Sequence, residues 1–269
     1  QHEVSAAMRN LLADSKMIRK RHEHLYERVT EEDVIKDKVQ EYYSLRCVPQ
    51  ILGPVWDAAN NAMEVLVNEV NSANDNPIID VKRQNVFHGG NFHGDYVAYE
   101  MDKLKTGITK ISMLCERQLN FLLNDKLNHI LPPFINHGKL GFNFGMQGVQ
   151  FTATSTVAEN QTLSFPMYVH SIPNNNDNQD IVSMGTNAAL MTRKVIENSY
   201  EVLAIHFMAI LQAIDYLKIT DKMSSETASY YYKLREIVAK FESDSVRYPD
   251  IKKLKDYLLE HRINLAKND

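Results

Sequence analysis

Three residues in one short stretch could handle an anionic substrate: Gln40, Tyr43 and Arg46. Spaced three apart, they would share one face of a helix. An arginine grips a carboxylate with two parallel N–H donors, and a neighbouring phenol can donate or accept a proton. The plainer reading of this spacing is a solvated helix face. A second stretch, His88-Gly89-Gly90-Asn91-Phe92-His93-Gly94, has the glycines that let a backbone turn sharply, and would present Phe92 to a pocket. Its plainer reading is a turn into a helix that starts near Asp95. A third, Asn174 to Asp180, is dense in amides. A functional amide cluster there would bind polar groups without introducing charge. The plainer reading is an Asx-rich turn, with Asp180 capping a helix that begins at Ile181.

Other chemistries find less support. The ten histidines include the pairs His22/His24 and His88/His93, yet neither has the spacing of a zinc site, and no metal is expected. His88 and His93 are expected to shape their loop by hydrogen bonding. The glycine-rich stretch lacks the Lys-Ser/Thr of a phosphate loop and is not GxGxxG. Cys47 and Cys115 have no CxxC partner and read as two buried free thiols.

The elements that must position these residues are helices. From Val97 the apolar residues run Val97, Met101, Leu104, Ile108, Ile111, Cys115, a 4-3 alternation that makes a heptad seam. The same alternation runs Met184, Ala188, Met191, Val195, then Val202, Ile205 and Ala209, with Asn198 at one seam position, where a polar residue can fix register. Each pattern extends for roughly 30 residues, against ~11–12 in an average helix, so a bundle of long helices is expected. A third helix is expected from Val55 to Val70, after Pro54. Two shorter ones are expected at Ser225–Phe241 and Ile251–Leu265. Between them lie three irregular segments rich in turn residues: Asn71 to Gly94, Leu131 to Gly148, and Val169 to Asp180. There is no internal repeat, and no linker marks a domain boundary.

The bulk composition bounds the rest. The 269 residues are 44% hydrophobic and 24% charged, enough to bury a sizeable core. A net charge of -4 leaves no basic surplus for neutralising phosphates, so no nucleic-acid partner is expected. No uninterrupted apolar run reaches the ~18–20 residues of a membrane helix, and the first residues do not read as a signal peptide. The opening Gln1, in helix-like sequence, suggests a piece cut from a longer protein.

Together the stretches Tyr43–Pro54 (YSLRCVPQILGP), Ser72–Ile78 (SANDNPI), His88–Gly94 (HGGNFHG), Leu131–Phe134 (LPPF) and Asn175–Gly185 (NNDNQDIVSMG) resemble, in fixed order, the aromatic amino acid ammonia-lyase family. The wording is most similar to bacterial tyrosine ammonia-lyases. The resemblance implies an all-α long-helix bundle with irregular active-site loops, residues 1–269 forming the C-terminal part of one lyase domain. It implies a cytoplasmic homotetramer with shared active sites, acting on a small aromatic amino acid. It also implies the electrophile methylidene-imidazolone (MIO), which forms from Ala-Ser-Gly. No Ala-Ser-Gly occurs in residues 1–269, so the isolated chain is expected to be inactive while the full-length parent eliminates ammonia to give an arylacrylate. By resemblance, Arg46 holds the substrate carboxylate, Tyr43 sits beside the electrophile and the amine, and Gln40 supports both. Phe92 shields the electrophile, while Asn178 and Gln179 line the amine and carboxylate side. Histidine ammonia-lyases carry Glu where this chain has Gln179, which tilts the expected substrate to tyrosine or phenylalanine. Alternatives are a urocanate-forming histidine ammonia-lyase, an aminomutase, or a non-catalytic helical oligomerisation module.

Overall fold

The computed structural model describes residues 1–20 and 40–261. In chain order the elements are α1 (His2–Leu12), α2 (Tyr43–Arg46), α3 (Val48–Val70), β1 (Ile78–Asp80), β2 (Asn85–Phe87), α4 (Asp95–Leu123), α5 (Asp125–Asn128), α6 (Gln147–Leu163), α7 (Gly185–Leu217), α8 (Ser225–Ile237) and α9 (Tyr248–Glu260). The two strands form an antiparallel hairpin with Ile79 opposite Val86. The packing divides into two compact units. One comprises Gln1–Gly53, Ser112–Thr156 and Tyr200–Asp269, the other Pro54–Ile111 and Val157–Ser199.

Several boundaries differ from those expected. Helix α3 starts at Val48, before Pro54, because Cys47 O already accepts Ile51 N–H at 3.0 Å and nucleates the helix upstream. Pro54 then costs one intrahelical bond without ending the helix. Helix α7 starts at Gly185, so Asp180 caps nothing at Ile181. Helix α8 ends at Ile237, and α9 spans Tyr248–Glu260 with Pro249 in its first turn, where its missing N–H costs nothing. Residues 262–265 of the expected last helix lie outside the described residues. Helix α6 and the β-hairpin occupy stretches with no predicted element.

In the second unit, α4 turns an unexpected face inward. The heptad residues Val97, Met101, Leu104, Ile108 and Ile111 are only half-buried. The adjacent row Ala98, Asp102, Lys105 and Thr109 is buried instead. Buried charge is tolerated there because every group has a partner. Lys105 Nζ lies 2.7 Å from Asp102 Oδ1 and donates to Phe165 O at 2.9 Å. Tyr168 N–H donates to Asp102 Oδ2 at 2.7 Å, and the Thr109 and Ser164 hydroxyls are 2.6 Å apart. The α7 seam is buried at Ala188, Val195 and Asn198, while Met184 and Met191 are half-buried. Asn198 Nδ2 donates to Glu159 Oε2 (2.7 Å) and Asn160 Oδ1 (3.0 Å), which satisfies the seam's polar position.

In the first unit the α7 seam continues through Val202, Ile205 and Ala209, with Met208 and Leu211 beside it. Leu119 and Leu123 of α4, and Leu254 of α9, complete this core. Arg235 donates to Asp215 Oδ2 (2.5 Å) and Gln212 Oε1 (3.0 Å), pinning α8 to α7. Ser224 caps α8 by accepting Thr227 N–H at 3.2 Å, and Asp14 accepts Ser225 N–H. That acceptor role lowers the Asp14 carboxyl below its ordinary range. By length and composition α7 could cross a membrane, although polar residues such as Glu201, His206, Gln212 and Asp215 interrupt its apolar run. However, 56% of its most apolar window is buried within the protein, as in a core helix.

Candidate active site

The six residues singled out by sequence fall on three structures. The first is the start of α2, in the first unit. Its single turn holds Tyr43 and Arg46, and Gln40 precedes it. The three side chains meet, though not on a shared helical face: the chain before α2 folds back, and Arg46 Nη1 donates to Gln40 Oε1. The Arg46 guanidinium lies 4.6 Å from the centre of the Tyr43 ring. The turn is anchored from below, with Gln118 Nε2 of α4 donating to Ser44 O at 2.7 Å and Tyr42 edge-on to Phe121. Tyr43 itself is 69% exposed.

The second structure is the glycine-rich loop of the second unit. Gly89 N–H donates to Asn76 Oδ1 at 2.9 Å, so the SANDNPI stretch holds one end of the loop. Gly94 N–H donates to Ser183 Oγ at 3.0 Å and holds the other. Between them His93 N–H closes a turn onto Gly90 O (2.8 Å), and its Nε2 meets Asp95 Oδ2 at 2.9 Å. Phe92, in the middle, is 50% exposed.

The third structure, also in the second unit, is a miniature hairpin. Asn174 and Gln179 exchange two backbone hydrogen bonds, of 3.1 and 3.3 Å. Asn175, Asn176 and Asp177 turn the chain with φ of 52°, 54° and 61°. Asn and Asp are the non-glycine residues that enter this left-handed region most readily, so the amide-rich composition is explained by the turn itself. Asn178 is exposed and Gln179 half-buried beside the turn. Ser171 Oγ accepts Val182 N–H at 2.9 Å and closes the base of the segment.

The serines and Asn76 that hold these loops carry no chemical signature in the sequence, although Asn76 and Ser183 lie inside the motifs quoted above. His22 and His24 lie outside the described residues. Among the described residues, no group of three His, Cys, Asp or Glu side chains could hold a metal ion. Cys115 is buried, which pushes its thiol up to about 11, whereas Cys47 is only half-buried. A separate cleft of about 930 Å³ in the first unit, lined by Phe144, Phe151, Glu201, Arg247, Tyr248 and Lys255, contains none of the six residues.

The sequence profile described as aromatic amino acid lyase matches residues 1–236. The chain belongs to this family. It is 38% identical over 258 residues to a histidine ammonia-lyase of Bacillus cytotoxicus, a match covering 96% of this chain and 48% of that relative. It is 37% identical over 252 residues to a tyrosine ammonia-lyase of Cupriavidus metallidurans, covering 92% and 47%. Among solved structures, the Pantoea agglomerans phenylalanine aminomutase superposes with a TM-score of 0.88 at 33% identity, covering 96% of this chain and 51% of that one. The Streptomyces globisporus tyrosine aminomutase gives 0.87 at 35%, covering 95% and 49%. The chain thus spans about half the length of the curated relatives it matches. The all-α fold expected from the heptads is that of these lyase and aminomutase structures.

Proposed function

We propose that this chain is the C-terminal, substrate-binding part of an MIO-dependent lyase that removes ammonia from tyrosine or phenylalanine. The observation that carries the reading is the arrangement at Arg46, whose guanidinium is oriented in advance by Gln40 and the Tyr43 ring. An arginine held this way presents a fixed fork to a carboxylate and loses little entropy on binding. The exposed ring of Tyr43 in the first unit, and separately that of Phe92 in the second, each suit packing against a flat group, so each residue fits a neighbouring MIO rather than its formation. That group, when bound, supplies the electrophile that activates the amine for departure. The chain's own residues do the rest of the binding. Arg46 fixes the carboxylate, and Phe92 excludes water from the reacting face. The Tyr43 phenol can donate to or accept from the amine. Gln179 offers a neutral amide where a carboxylate would bury an unmatched charge against an uncharged ring.

The test is to co-express the chain with an upstream half that carries Ala-Ser-Gly, and to offer tyrosine, phenylalanine and histidine. An arylacrylate from tyrosine or phenylalanine, read by its ultraviolet absorbance, is the expected result. Urocanate as the main product would move the reading to histidine. A β-amino acid product would make the protein an aminomutase, a reading favoured by the superposition on aminomutases. No product from any of the three sinks the proposal. The chain by itself is expected to show no turnover. The half-buried apolar row of α4 supports a second part of the reading, association with further copies, with a tetramer as the expected state.

A further inference from the structure

The two loops of the second unit that carry Phe92 and the Asn178/Gln179 pair are 89 residues apart at the point where they meet. Their meeting place is compact. A Cβ on Gly94 would stand 3.1 Å from Ser183 Oγ, and one on Gly185 would stand 3.0 Å from Gly94 O. The backbones therefore touch, and the Ser183 hydroxyl fills the contact as acceptor for Gly94 N–H. That amide leads directly into α4, where a helix start leaves N–H groups without intrahelical acceptors. On its other side Ser183 is equally fixed. The preceding amide, Val182 N–H, is taken by Ser171 Oγ, and the following Met184 O accepts Ala188 N–H as α7 begins. Phe92 is two residues from Gly94, and Gln179 is four residues from Ser183.

We propose that Ser183 is a positioning residue. Its hydroxyl locks the aromatic-shield loop to the amide hairpin, so that the two present one fixed face to the substrate. The proposal rests on the lyase reading for its consequence in catalysis, while the locking itself can be measured without catalysis.

Two measurements decide it. The first is amide hydrogen exchange on the 269-residue chain. Ser183→Ala should speed exchange about fivefold or more in peptides covering 88–98 and 171–184, leave α9 unchanged, and be reversed by Ser183→Thr, which keeps the hydroxyl. Ser183→Cys, similar in size with a weaker acceptor, should fall between and serves if the alanine variant folds poorly. Unchanged exchange at Gly94, or a uniform rise along the whole chain, overturns the locking role. The second uses the chain joined to its upstream half. Ser183→Ala should lower kcat about tenfold with a smaller change in KM, as expected when reacting groups are misplaced without being removed, and Ser183→Thr should recover it. Values of kcat and KM within twofold of the unsubstituted enzyme would overturn the catalytic part. If the unsubstituted enzyme gives no product, the lyase reading fails, and the exchange data still decide whether Ser183 couples the loops.

Discussion

At Arg46 one guanidinium nitrogen is committed to Gln40 and the plane rests near the Tyr43 ring, so the fork proposed for a carboxylate is held in advance. Lysine would keep the charge and lose the fork. Arg46→Lys in the reassembled enzyme should raise KM about tenfold to a hundredfold, the worth of one charge-assisted hydrogen bond, with a smaller effect on kcat. Steady-state kinetics would show this, and an unchanged KM would remove Arg46 from the carboxylate. Gln179→Glu should shift the kcat/KM ratio toward histidine over tyrosine, and a ratio that stays put or moves the other way would count against the amide's role in substrate choice. His206 makes a prediction independent of catalysis. Buried in α7, it is held neutral, with burial pushing its pKa down from 6.5 to about 4. The unfolded chain takes up a proton first as pH falls, so stability is full above pH 6.5 and declines between about 6.5 and 4. The loss attributable to this one group is at most ~3 kcal/mol. Urea unfolding at pH 7.5 and 4.5 measures it, and His206→Gln should flatten the dependence. The residues proposed to do chemistry were picked out by type and given their roles by resemblance. Those that hold them, Ser171, Ser183 and Asn76, were not, because a hydroxyl or amide accepting one backbone N–H leaves no pattern along the chain.

Among the elements, α7 was legible because the row it buries is almost wholly apolar and repeats every 4-3 residues. Helix α6 was not, since the row it buries is Ala153, Val157 and Asn160, too small and too polar to register as a stripe. Helix α4 was legible as a helix, but the row it buries in the second unit was not. Its buried row includes an ion pair whose partners lie on the 164–168 stretch, and periodicity of apolar residues cannot see such a face. That pair sets an element-scale prediction. Lys105→Met should destabilise the fold by ~3–5 kcal/mol, because Asp102 is left charged and buried. Adding Asp102→Leu should recover part of the loss. The recovery is incomplete, since Tyr168 N–H and Phe165 O still lose their partners at ~1–3 kcal/mol. Chemical denaturation of the single and double variants separates these terms, and a double variant worse than the single would contradict the account. The short hairpin from Ile78 to Phe87 escaped prediction because three-residue strands are too short to alternate visibly.

For the whole molecule, the pattern of exposure matters more than any one contact. Trp56, Met63, Val67 and Val70 stand exposed along α3, and Phe151 and Leu190 on α6 and α7. Together with the half-buried row of α4 they are apolar side chains that a further copy could cover. Light scattering of the purified chain should give a mass above that of a single 30.9 kDa copy, and a strictly monomeric mass would refute self-association. Covering by a second copy has a thermodynamic signature of its own. A fold completed between molecules is governed by mass action, so its melting temperature climbs as the protein is concentrated. Substitutions on the outer row of α4, such as Ile108→Ser, should abolish that climb while leaving the dilute-solution melting point nearly in place. Substitutions on its inner row should lower the melting point equally at every concentration. One helix would then carry two separable stabilities, one belonging to the chain and one to the number of chains in the tube.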